Sequence, residues 1–81
     1  MNRRIVSSLQ IMEKGKICAI NVDGSFHCFL MQNGLIIGNE IELYNTYSEN
    51  YIIKINDDDS YFVINKKAAD NIIVETQVKS N

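Results

Sequence analysis

Apolar residues in this chain recur at every second position in short bursts, and only once at the spacing of a helix. This contrast constrains the fold, because side chains along a strand alternate between two faces whereas those of a helix return to one face every three to four residues. At residues 40–44, Ile41 and Leu43 alternate with Glu40 and Glu42, so a strand there sends the two apolar side chains inward and both glutamates into water. Residues 51–55 repeat the arrangement, with Tyr51, Ile53 and Ile55 on one face and Lys54 on the other. Residues 61–64 and 72–74 add two short β-rich runs, and residues 16–22 form the first strand, ended by the turn pair Asp23-Gly24. Five strands are expected.

The exception lies at residues 26–33, where Phe26, Phe29 and Leu30 fall at i, i+3 and i+4 and so share one helical face. Ser25 is placed to accept hydrogen bonds from the free amides at the helix start, and Gly34 can take the left-handed conformation that closes it. Leu35 then stands where such a helix end makes an apolar contact back onto the last turn. Gly38 is expected to permit a second tight turn before the next strand. Strands this short are not stable as separate hairpins, and tight turns join them. The economical arrangement is mainly β: a small SH3-like five-stranded barrel with one short helix between strands 1 and 2.

The 81 residues make a single domain, 1–81, with an ordinary globular share of apolar and charged residues. A domain this small has little room for both a core and an extensive active-site cavity, which disfavours an enzyme. Charge is uneven. Residues 1–16 carry Arg3, Arg4, Lys14 and Lys16 against Glu13, whereas residues 17–59 carry seven acids and only Lys54. No basic stripe results, so nucleic acid is not an expected partner. The longest uninterrupted apolar runs are four residues, far short of the roughly 20 that cross a bilayer, and residues 5–10 are too polar for the core of a signal peptide. A cytoplasmic location is expected, with Cys18 and Cys28 as free thiols.

Read in order, Leu9, then Gly15-Lys16-Ile17, then the central block from Leu30 through Gly34-Leu35-Ile36-Ile37-Gly38 to Ile41, then Ile64 to Val74 with Ala68 and Ala69, the sequence resembles FeoA, the small ferrous iron transport accessory family. The resemblance is strongest over residues 8–75, which leaves 1–7 and 76–81 as candidates for disorder. It implies that Gly34 and Gly38 serve backbone turns, and that Ala68 and Ala69 form a single helical or 3₁₀ turn packed against the barrel before Ile72 and Val74 enter the final strand. The chain departs from the family at Cys28 and Phe29, where arginines are usual, at Gln32 and Asn33, where a glutamate and an apolar residue are usual, and at Ile37, where a proline is frequent. Its helix surface is correspondingly less charged.

Chemical constellations are sparse. His27 and Cys28 are adjacent and so point about 100° apart on a helix, which keeps them from converging with Cys18 on one ion. Asp57, Asp58 and Asp59 lack the spaced ligands and the glycine of a calcium loop and read as a solvated turn. Cys18 with His27 could pair as nucleophile and base, but no acid is placed to orient the imidazole. No catalytic residue, metal ligand or cofactor is assigned. The resemblance implies a non-enzymatic adaptor whose partner is the cytoplasmic part of the FeoB permease, reached through the helix and the loop at 45–50, with association with the membrane only through that partner. The contact residues expected are His27, Leu30, Met31, Tyr44, Tyr47 and Tyr51. Two alternatives stay open: a metal-binding or metal-sensing domain using His27, Cys28 or Asp57–Asp59, and an SH3-like adaptor with another partner. A homo-oligomer is also compatible with the sequence.

Overall fold

The computed structural model describes residues 2–56 and 60–77; the aspartates at 57–59 lie outside the described residues. Six antiparallel strands form one sheet: β1 (Asn2–Ile5), β2 (Lys14–Ile20), β3 (Glu40–Tyr47), β4 (Asn50–Ile55), β5 (Tyr61–Asn65) and β6 (Ile72–Thr76). Their spatial order is β1-β6-β2-β3-β4-β5, so the last strand in sequence is inserted between the first two. A 3₁₀ turn at Val6–Ser8 follows β1, the helix α1 (Gly24–Gln32) joins β2 to β3, and the single-turn helix α2 (Lys66–Ala69) joins β5 to β6. The mainly β class with a helix after the long first hairpin strand is as the alternation predicts.

The strand count is six rather than five. The additional strand is β1, whose residues pair in register with β6, Asn2 opposite Thr76 and Ile5 opposite Ile73. It brings residues 2–7 into the fold, and Val6 and Leu9 just after it are buried. Between the edge strands β1 and β5 the gap is bridged by the short helical turns rather than by a described strand ladder: the Ser7 hydroxyl donates to the Asp70 carboxylate, linking the turn after β1 to the end of α2.

Inward side chains alternate as expected, and Ile41, Leu43, Ile53, Ile64, Ile72 and Val74 join Leu30, Leu35, Ala68 and Ala69 in one core. Tyr51 and Phe62 pack against it half-buried. Two bulges interrupt the ladders, at Cys18 between Ile17 and Ala19 and at Tyr44 between Leu43 and Asn45. Glu42 differs from its expected exposure: it points away from the core but is only 8% exposed. Its register places it between Lys14 of β2 and Lys54 of β4, so a residue on the outer face of a central strand is not thereby in water.

Candidate interaction surface

Helix α1 is closed as its sequence predicts. Gly34 has φ +93°, its amide donates to the Met31 carbonyl at 3.1 Å, and the Leu35 amide reaches back to the Leu30 carbonyl at 3.0 Å. These two bonds are the paired closures of a Schellman end, and Leu30 and Leu35, the apolar partners of that motif, are both fully buried. The start differs from expectation. The cap position is Asp23, with no side-chain hydrogen bond to the helix, and Ser25 lies inside the first turn. Gly38, with φ +100°, makes the turn before β3, its amide donating to Ile17.

With its C-terminal end anchored by Leu30, the nine-residue helix sinks no other side chain completely into the core. Phe26 and Phe29, which share Leu30's side of the helix in the periodicity, remain 40% and 49% exposed. Their rings stack with centroids 6.4 Å apart, and Phe29 meets Phe62 of β5 at 5.7 Å. The result is a ladder of three phenylalanines running from the helix onto the sheet edge, with a hollow of about 440 Å³ next to Phe26 that Lys67 and Asn71 also line. Met31 is exposed on the same helix and His27 is half-buried.

The tyrosines gather elsewhere. Tyr44, released outward by the β3 bulge, packs on Tyr61 of β5 with ring centroids 4.8 Å apart. Val63 and Tyr47 are exposed on the same strands. Because side chains alternate along β5, Phe62 faces α1 while Tyr61 and Val63 face away from it. The exposed phenylalanines and the tyrosines with Val63 therefore form two patches on opposite faces of β5, not one continuous surface. Of the expected contact residues, Met31, Tyr44 and Tyr47 are accessible and His27 is partly so. Leu30 is wholly buried as the anchor of the helix end, which removes it as a contact residue, and Tyr51 packs half-buried on the core.

Phe26 and Phe29 lie on the helix expected to make contact but were not named as contact residues, and Tyr61 and Val63 of β5 were not expected at the surface. The sequence signals a surplus of apolar side chains for so small a core and points to Met31, Tyr44 and Tyr47 among those outside, but not to the pairing of the helix with β5. Among the described residues, no three His, Cys, Asp or Glu side chains gather where they could hold a metal ion. Cys18 is half-buried, its thiol directed to the Ile73 carbonyl at 3.4 Å, and Cys28 is exposed on α1. No helix is long and apolar enough to cross a membrane among the described residues.

Among curated proteins, no sequence match reaches significance. Solved structures do match. An iron uptake regulatory protein, FeoA, superposes with a TM-score of 0.82 at 21% identity, over 94% of this chain and 100% of its own. FeoA from Chlorobium tepidum gives a TM-score of 0.85 at 14% identity, over 96% of this chain and 74% of its own. Iron(II) transport protein A from Clostridium thermocellum gives 0.80 at 26% identity, over 90% of this chain and 45% of its own. The family model for the FeoA domain matches residues 6–76, a span running from the buried Val6 through both glycine turns to the last strand, and the chain belongs to the FeoA domain family.

Proposed function

We propose that this chain is a non-enzymatic accessory protein of bacterial ferrous iron uptake, acting in the cytoplasm by contact with the cytoplasmic part of the FeoB permease. The observation that carries this reading is the ladder Phe26–Phe29–Phe62, whose two helix rings are exposed, on a chain whose residues 6–76 are a FeoA domain. Family membership supports the transport process, and the ladder supports contact as the means. Solvated rings on a short helix whose C-terminal end is firmly closed are pre-ordered for docking: little conformational freedom is left to lose, and aromatic side chains supply large contact area with two torsions each. The helix lacks the arginines usual in the family at Cys28 and Phe29, so attraction at this face rests on apolar burial more than on charge. The action on transport is then a difference in affinity between conformations of the permease.

The test is titration of the isotope-labelled chain with the soluble cytoplasmic domain of FeoB, with and without guanine nucleotide. Saturable binding with chemical-shift changes centred on α1 and β5 is expected. Absence of binding in every nucleotide state overturns the reading, and shifts centred on Tyr44 and Tyr47 retain the partner but move the contact to the opposite face.

A further inference from the structure

The N-terminal arm, residues 2–9, is held to the rest of the domain from one side. β1 pairs with β6 alone among the described strands, and its four residues are exposed or half-exposed, while Val6 and Leu9 insert into the core. Among the described residues, three of the arm's own side chains tie it to the body. Arg3 meets Glu75 at 3.5 Å, Arg4 meets Glu13 at 2.7 Å, and the Ser7 hydroxyl donates to Asp70. All three partners lie beyond the connection between arm and body.

That connection is short and strained. Gln10, Ile11 and Met12 are all exposed, and the Glu13 amide closes a four-residue turn by donating to the Gln10 carbonyl at 3.0 Å. Met12, the third residue of the turn, has φ +73°, a left-handed conformation that such a turn ordinarily gives to glycine. Beside it lies a cavity of about 620 Å³, lined in part by Met12, Glu13, Gly15 and Glu75.

We propose that residues 2–9 exchange between two copies of this chain, each arm seating on β6 of the other copy with residues 10–12 extended as the hinge. Every tie of the arm is remade in the exchanged pair: Arg3 to the second copy's Glu75, Arg4 to its Glu13, Ser7 to its Asp70. What changes is the hinge, where the left-handed strain at Met12 is released, the surface hydrogen bonds between Gln10 and Glu13 pass to water at little net cost, and the Met12 amide exchanges its bond to the Leu43 carbonyl at 2.6 Å for one to water. Short hinges under strain favour such exchange. The inference does not rest on the permease reading, since its partner is the chain itself.

Two variants test it, each built on Cys18→Ala/Cys28→Ser. One carries Arg3→Cys and the other Glu75→Cys, positions that face each other in the β1–β6 register, at the separation a cross-strand disulfide needs. The two are mixed at high concentration, warmed to allow exchange and oxidised. Exchange predicts covalent heterodimers well above the one-half that random pairing gives, together with a concentration-dependent dimer of the unmodified chain in light scattering. Met12→Gly relieves the turn in the closed monomer and raises the dimer dissociation constant by roughly twenty-five-fold, a factor of about five at each of two hinges. Heterodimer at or below one-half, a chain monomeric at all concentrations, or a dissociation constant unmoved by Met12→Gly each overturns the proposal.

Discussion

Gly15 and Val74 approach so closely across the β2–β6 ladder that a Cβ on Gly15 would stand 2.8 Å from Val74 Cγ2 and 2.9 Å from its Cβ. The Glu75 carbonyl oxygen would lie at 3.3 Å. Val74 is fully buried and its branched side chain has few rotamers to yield. Gly15→Ala is therefore expected to cost about 1–3 kcal/mol through overpacking, measured by urea unfolding. Val74→Ala in the same chain should recover part of that loss, so the double variant loses less than the two single losses added. A neutral Gly15→Ala would show that the strands can part without penalty.

The second glycine prediction has a different cause. A Cβ on Gly34 would find Ile55 Cγ2 at 3.4 Å, an ordinary contact, but the residue sits at φ +93°. Backbone conformation, not space, sets the cost there. Gly34→Ala should destabilise the domain by about 1 kcal/mol, and Gly34→Asn by less, because asparagine tolerates the left-handed region. Equal losses for the two variants would point to packing against Ile55 instead.

The contact between the 3₁₀ turn and α2 carries a pH signature. The hydrogen bond from Ser7, and next the bond and charge of Lys66 at 3.0 Å, hold the Asp70 carboxyl below its ordinary value of 3.8. A depressed carboxyl contributes stability that is present above its unfolded value and lost as pH falls through its folded value. The tie between arm and body should accordingly hold at neutral pH and weaken below about pH 4. Ser7→Ala should move the Asp70 titration upward, read from its carboxyl carbon shift. An unmoved midpoint would show that the hydroxyl does not bond the carboxylate in solution.

Features contained within a few consecutive residues were legible in the sequence. Leu30, Gly34 and Leu35 spell out the end of α1 because all members of that motif lie side by side, and the alternation of Ile41 and Leu43 with glutamates marked β3 for the same reason. Features set by distant partners were not legible. Gly15 reads as a turn residue until Val74 is beside it. Asn2-Arg3-Arg4-Ile5 has no strand alternation; it is a strand because β6 offers it an edge. Phe26 and Phe29 share a helical face with Leu30, but periodicity gives direction and not depth, and the depth depends on how α1 meets Phe62 of β5. The candidate site was therefore half readable: the helix and the solvent-facing Met31, Tyr44 and Tyr47 were identified, and the part played by β5 was not.

That last point yields the sharpest test of the proposed contact, because the two exposed patches make opposite predictions. Phe29 is 49% exposed and touches both Phe26 and Phe62, so Phe29→Ser gives up two ring contacts and should cost about 1–2 kcal/mol of stability. If the phenylalanine ladder is the docking face, the same change weakens binding to the FeoB cytoplasmic domain by roughly thirtyfold, the loss expected of a central aromatic anchor. Tyr47, 67% exposed and on the opposite face, should leave stability within about 0.5 kcal/mol when changed to serine, with affinity unchanged. Calorimetric titration of both variants, alongside urea unfolding to separate folding from binding, checks the pair. A result in which Tyr47→Ser abolishes binding while Phe29→Ser does not assigns the contact to the tyrosine face and leaves the phenylalanine ladder a feature of folding alone.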